Sequence, residues 1–238
     1  MSDQIKSIDY HVVKDFWESR ASLYGKKDVR SLTVPWDDPE LLEQRDTMER
    51  NALEPLLPKR KITRLLEMGC GTGRWTSFLA QKADHVVAFD IASGLIEIAK
   101  KETKKANIEN VEFHIGDARK FCLAEKFDVI TAFGVTIYLD NAGLSEFAQN
   151  VSQMLTDDGV LIQKDPLSYT ERKVENQWYG QPDTDYCCIY RIQNEYDTVF
   201  SQVSLELAQK FSVFKDDDLQ VGLEILTWKK NKLNMQQT

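Results

Sequence analysis

Residues 64–80 read RLLEMGCGTGRWTSFLA: an apolar run of strand length, Arg64 to Met68, turns through glycines at 69, 71 and 73 into a helix. Spacing separates the ligand-binding loops this could be. A dinucleotide fingerprint, GxGxxG, would need its third glycine at position 74, which is Arg74, and a phosphate-binding GxxxxGK followed by Ser or Thr is absent. What remains is ExGxGxG, with Glu67 ending the strand. Alternate loop positions 69, 71 and 73 carry no side chain, so a ligand can lie against the backbone.

Downstream of the loop, short apolar runs alternate with stretches of helical period, the signature of a parallel sheet. The runs are Arg64 to Met68, His85 to Asp90, Val111 to Ile115, Phe127 to Phe133 and Val160 to Lys164. Between them, Ile96, Ala99, Thr103 and Ala106 share one helix face, and Leu144, Phe147, Val151 and Met154 repeat that spacing. One run ends in an acid, HVVAFD at Asp90, seventeen residues beyond Gly73, and the third run is followed by GDA with Asp117. In a doubly wound sheet the carboxyl ends of the strands line one edge, where ligands bind. A carboxylate ending the second strand can accept from both hydroxyls of a ribose, and Asp117 can accept from the exocyclic amine of adenine.

Outside this core the patterning changes. Asp38 and Pro39 suit the cap and first position of a helix through LLEQRDTMERNAL, with Leu41, Arg45, Met48 and Ala52 as its inward stripe. After Asp165 the regularity lapses through PLSYTERKVENQWYGQPDTDYCC. A helical segment near Asn194 to Val203 follows, then runs at Ser204 to Phe214 and Val221 to Trp228 that could pair as antiparallel strands. No repeat or linker divides the chain. The reading is a single domain of three parts: an N-terminal helical cap (1–60), a cofactor-binding core (61–165), and an acceptor-side insert with the C-terminal strands (166–238).

The 238 residues are 42% hydrophobic and 29% charged, as in soluble globular chains, and a net charge of −8 disfavours a phosphate backbone as partner. Neither a membrane span nor a signal peptide is visible, so a cytoplasmic location is expected. Cysteines 70, 122, 187 and 188 lack the spacing of metal ligands.

In combination, these motifs resemble the class I, Rossmann-like S-adenosylmethionine-dependent methyltransferases. LLEMGCGTG corresponds to the family's first motif, Asp90 to its ribose-binding acid, Asp117 with Ala118 to its adenine-side motif, FDVITAFGVTIYL to its fourth-strand motif and LTDDGVLIQKD to its fifth strand. The resemblance implies an α/β, doubly wound, seven-stranded and mostly parallel sheet of order 3-2-1-4-5-7-6, with an N-terminal helical extension and an insert after the fifth strand. It further implies S-adenosylmethionine as cofactor, held by Glu67, Gly69, Gly71, Gly73, Arg74, Asp90, Ile91, Asp117, Ala118 and Phe133. Arg74 would pair with the carboxylate of the methionine moiety.

On the acceptor side the resemblance points to Asp165 as the acid that orients an amine. Tyr138 becomes the polar neighbour of the reacting atoms, because Ile137 stands where many members keep a histidine or glutamate. Trp17, Tyr24, Trp36, Arg45 and the insert aromatics, Trp178 among them, would wall the acceptor pocket. The fourth strand ends in Phe133 and Gly134, not the acid of magnesium-dependent members, so no metal is expected. The resulting expectation is methylation of an amine or hydroxyl on a small polar metabolite. A protein or peptide α-amino methyltransferase is the alternative, and a catalytically silent partner of the same fold is a third reading.

Overall fold

The β-rich apolar runs all become strands, and in a computed structural model they lie in one sheet. The structure describes residues 8–34, 37–175 and 186–231. Its strands are β1 (Ile62–Met68), β2 (Ala83–Asp90), β3 (Val111–Ile115), β4 (Phe127–Phe133), β5 (Leu155–Ser168), β6 (Lys173–Glu175), β7 (Cys188–Tyr190), β8 (Leu205–Asp216) and β9 (Val221–Lys230). The helices are α1 (Tyr10–Ala21), α2 (Pro39–Leu53), α3 (Thr76–Leu79), α4 (Ser93–Lys105), α5 (Asn141–Met154) and α6 (Gln193–Ser201).

Seven strands form the large sheet in the order β3-β2-β1-β4-β5-β9-β8. The first five are parallel, and β9 runs antiparallel to both β5 and β8. Counted among themselves these seven follow the expected 3-2-1-4-5-7-6, the separate β6–β7 hairpin of the insert raising the last two labels by two. Because the chain leaves β1 for β2 and β3 on one side and returns to β4 on the other, the strand order reverses between β1 and β4, opening a crevice at their carboxyl ends.

Alternation along the strands splits the core into two layers. Leu66, Val87, Phe89, Ile130, Leu161 and Trp228 pack on Leu144, Phe147 and Val151 of α5 and on Tyr196 and Phe200 of α6. Leu65, Val86, Ala88, Val129, Ile162 and Ile225 pack on Ala52 and Leu53 of α2, on Trp75 and Leu79, and on Ile96 of α4. Among the described residues no helix is long and apolar enough to cross a membrane.

Three expectations change. Strand β5 begins at Leu155, not Val160, because a register shift between Phe127 and Val129 lets β5 absorb the Thr156–Gly159 turn. It also runs on to Ser168, and Pro166 is tolerated there because β4 has already ended opposite Lys164, leaving that edge unpaired. The helix after the glycine loop is a single turn. Helix α2 starts where expected, with Asp38 accepting from the amides of Glu40 and Leu41, but it is rotated: Leu41 and Met48 are about half exposed, while Leu42, Asp46, Glu49 and Leu53 turn inward. An inward acidic pair requires cations beneath it, and these stand at the sheet edge.

Candidate active site

The glycine loop, Gly69 to Gly73, forms the floor of a cleft at the carboxyl edge of the sheet. Gly69 and Cys70 both donate to the carbonyl of Phe89, at 2.8 and 3.0 Å, which fastens the loop to the end of β2. All three glycines have positive φ, at +73°, +55° and +81°. A side chain at Gly69 would drive into Val135, so glycine permits the close approach of the β4–α5 loop. At Gly73 a Cβ would meet the backbone of Ala99 at 3.1 Å, and this glycine seats α4, away from the cleft.

Glu67 likewise does not line the cleft. It is buried beneath the loop, where Thr76 Oγ1 donates to it at 2.6 Å, and burial raises its carboxyl to about 8. It ties the start of α3 to β1. Asp90 does reach the cleft. Its two oxygens accept from the amides of Gly71 and Ala92, each at 2.9 Å, and burial raises it to about 6 against the pull of those amides. Ile91, Asp117, Ala118 and Phe133 also line the cleft. The Asp117 carboxylate is gripped by the Arg119 guanidinium, which lies 3.3 Å over the ring of Tyr10.

Helix α1 roofs this end with Tyr10, Val13 and Trp17. It is anchored by Glu18, whose oxygens accept from the amides of Ser93 and Gly94 at 2.6 and 2.9 Å and from the Ser93 hydroxyl. Helix α4 lacks a side-chain cap of its own, so a carboxylate on α1 supplies it. Tyr24 lies away from the cleft. Its hydroxyl donates to Glu102 at 2.5 Å and accepts from Lys105, bracing the outer face of α4, because α1 ends at Ala21 and the chain turns outward.

At the other end stands the loop after β4, with Val135, Ile137, Tyr138 and Leu139 against the cleft. The Tyr138 hydroxyl is 3.1 Å from that of Tyr186, and its ring meets Trp17 edge-on at 5.8 Å. Tyr186 brings the insert to the cleft; Trp36 and Trp178 lie outside the described residues.

Asp165 does not line the cleft. On β5 the pleat alternates, so Lys164 and Pro166 face the cleft while Gln163 and Asp165 face the α5 and α6 layer. Asp165 is fully buried; Thr136 Oγ1 donates to it at 2.6 Å and Gln163 Nε2 at 3.1 Å. Burial raises its carboxyl to about 7, and its Oδ1 has no hydrogen-bond partner. Arg191, from the insert, donates to the carbonyls of Thr136 at 3.1 Å and Leu139 at 2.6 Å. Asp165 and Arg191 together clamp the loop that walls the cleft.

The remaining wall is a charged hub that the sequence reading does not anticipate. Glu49 Oε1 accepts from Arg45, and its Oε2 from Arg74 at 2.8 Å and Lys164 at 2.5 Å; Arg74 also pairs with Asp46. Burial works against the Glu49 charge, yet Lys164, Arg45 and Arg74 hold it well below the usual carboxylate range. Burial pulls Lys164 down to about 8 despite Glu49, with the neighbouring arginines adding to the pull. Its ammonium lies 4.6 Å over the Trp75 ring and 5.2 Å over Phe133. All three cations face the cleft and both acids stand behind them. The available signals were a lone lysine in the apolar fifth strand and the second stripe of α2, Leu42, Asp46, Glu49 and Leu53, as regular as the expected one.

Comparison with known proteins bears on this cleft. The family model described as a methyltransferase domain matches residues 65–159. A malonyl-[acyl-carrier protein] O-methyltransferase of Bacillus cereus is 37% identical over 101 residues, covering 42% of this chain and 36% of that protein. The chain spans about a third to a half of the length of the curated relatives it matches. Among solved structures, a SAM-dependent methyltransferase of Leishmania major superposes with a TM-score of 0.72 at 19% identity, covering 92% of this chain and 82% of the other. The N-methyltransferase NodS of Bradyrhizobium japonicum, in complex with S-adenosyl-L-homocysteine, gives 0.65 at 19%, covering 91% and 99%. These likenesses establish the fold. The glycine loop, the acid ending β2 and the acid following β3 thus lie in or beside residues 65–159, which match the methyltransferase-domain family model, on a sheet that shares its fold with S-adenosylmethionine-dependent methyltransferases.

Proposed function

We propose that this chain transfers a methyl group from S-adenosylmethionine to an amine or hydroxyl of a small polar molecule. One observation carries the reading: a single cleft joins a glycine loop flanked by Asp90 and Asp117 to a second wall of aromatic and charged side chains.

S-adenosylmethionine brings an activated methyl on a sulfonium, and in-line displacement needs little from the protein beyond alignment and exclusion of water. The chain's own residues fit that task. The backbone at Gly69 and Gly71 admits close approach, Asp90 suits a ribose diol, and Ile91 and Ala118 offer apolar contact on either side of a base. Arg74 lines the cleft at the loop's exit, its guanidinium paired with Glu49 and Asp46, and a cofactor carboxylate there would share it with them. The aromatic roof of Tyr10, Trp17 and Tyr138 keeps bulk water from the acceptor.

Burial of Asp165 away from the cleft withdraws the main support for an amine over a hydroxyl, and with it one support for a peptide α-amino acceptor. The acidic net charge of −8 favours an acceptor other than nucleic acid. The test is calorimetric titration with S-adenosylhomocysteine, followed by transfer of labelled methyl to a metabolite extract and, separately, to a peptide library. Binding with label in the small-molecule fraction is the expected result. Label in the peptides alone would overturn the acceptor class, and absence of binding would overturn the cofactor.

A further inference from the structure

We infer that Lys164 and Arg45 form a subsite for an anionic group, a carboxylate or phosphate, carried by the methyl acceptor; the inference rests on the methyltransferase reading above. Of the described residues lining the cleft, three are cations, Arg45, Arg74 and Lys164, and all three converge on one carboxylate, that of Glu49. Among the described residues these three cations pair with two acids, Asp46 and Glu49, a net of one positive charge at a largely water-excluded wall. The acids of the opposite end do not offset it: Asp117 is held by Arg119, and Asp90 by the amides of Gly71 and Ala92. Asp165 lies on the other face of β5, where the charges of both Lys164 and Arg191 act on it.

The cofactor does not remove that excess. A methionine moiety carries one carboxylate and one ammonium, neutral as a pair, and its sulfonium adds a positive charge. With Arg74 engaged at the loop exit, the cleft between Lys164, Arg45 and Phe133 therefore becomes more positive when the cofactor is present. Isolated charge in a low-dielectric site is costly, and a second anion relieves it. Lys164 is suited to supply that contact. Its ammonium has three protons, one donated to Glu49, and it is held in place by the rings of Trp75 and Phe133. Arg45, one turn before Glu49 on α2, flanks it with a guanidinium. The acids behind the cations fix their positions before any ligand arrives, so the subsite is preorganised.

The test uses the full chain loaded with S-adenosylhomocysteine and titrated by calorimetry with inorganic phosphate and, separately, succinate, each against chloride at matched ionic strength. Saturable binding of at least one of the two anions to the loaded protein is expected, and the two arms tell phosphate from carboxylate. Lys164→Met and Arg45→Gln should each weaken that anion at least about tenfold while leaving S-adenosylhomocysteine affinity within about twofold. Should Lys164→Met fail to fold with Glu49 short of one partner, the double variant Glu49→Gln with Lys164→Met removes both members of that pair and asks the same question. Binding of neither anion overturns the subsite. So does a Lys164→Met protein that loses S-adenosylhomocysteine but not the anion, which would assign the cations to the cofactor. A wild-type chain that does not bind S-adenosylhomocysteine overturns the methyltransferase reading itself, and the acceptor assignment with it.

Discussion

The two ends of the cleft are built by different means. At the β1–β3 end, backbone geometry does most of the work: glycines at positive φ, a loop fastened to the Phe89 carbonyl, and carboxylates at or just beyond strand ends. Each part lies within a few residues of a strand terminus. At the β4–β5 end, side chains do the work, and they come from far apart: Glu49 and Lys164 meet across 115 residues, and Arg191 reaches Leu139 across 52. A backbone-built site is cheap to hold and hard to retune, whereas a side-chain-built one depends on complete pairing of buried charge. The contrast predicts that damage at the first end is felt in binding and at the second in stability.

The largest effect should come from Glu49→Ala. It leaves three cations without their common acceptor, and a loss of about 3 to 5 kcal/mol in urea denaturation is expected, the scale for breaking a buried ion pair. A loss below about 1 kcal/mol would mean that water screens the hub and that the two ends do not differ as described. Next comes Asp90→Ala. Affinity for S-adenosylhomocysteine should fall by about 1.5 to 3 kcal/mol, as for a lost charged acceptor, with less effect on stability than Glu49→Ala. Equal affinity in calorimetry would strip Asp90 of its role.

A smaller effect concerns pH. Glu67 titrates near 8 in the folded chain against an ordinary value of 4.5, so the folded state holds a proton that the unfolded state has released. Its contribution to stability is complete below the ordinary value and disappears as pH rises through about 8. Asp90 and Asp165, raised to about 6 and 7, add to the slope in the same sense. Glu67→Gln keeps an acceptor for Thr76 without the charge. It should flatten the decline between about pH 5 and 9 by an amount on the order of 1 kcal/mol or more, measured by denaturation at each pH. An unchanged slope would place the titration elsewhere.

The smallest effect is expected at Asp165→Asn. The amide oxygen can still accept from Thr136, so the loop stays clamped and turnover with the identified acceptor should fall by less than about tenfold. A collapse of about 10²-fold or more with cofactor affinity intact would restore Asp165 to the reacting atoms and undo the division between the faces of β5.

The sheet order and the first end of the cleft were legible because their signals are short-range: strand runs, a glycine triplet, acids following apolar stretches. Asp90, Ile91, Asp117, Ala118 and Phe133 line the cleft. Glu67 and Gly73 have the right neighbourhood but an inner role, since the motif fixes a loop without saying which of its residues face outward. The second end was hidden by parity and rotation. One residue along a strand exchanges cleft for core, which separates Lys164 from Asp165. One position around α2 exchanges Leu41 and Met48 for Asp46 and Glu49, and two stripes of equal regularity are told apart only by what lies beneath them. Tyr24 illustrates a third limit: proximity to a site along the chain says nothing about direction once a helix has ended.

The borrowed cap of α4 has a consequence for the order in which the molecule assembles. Glu18 is synthesised about 75 residues before the Ser93 amide it accepts from, so α1 leaves the ribosome well before α4 supplies its anchor. Until then α4 has a frayed first turn, and Leu95, which lines the cleft from that helix, has no fixed seat. Closing the roof and finishing α4 are therefore one event, and a chain missing α1 would lose the wall of its cleft along with the lid.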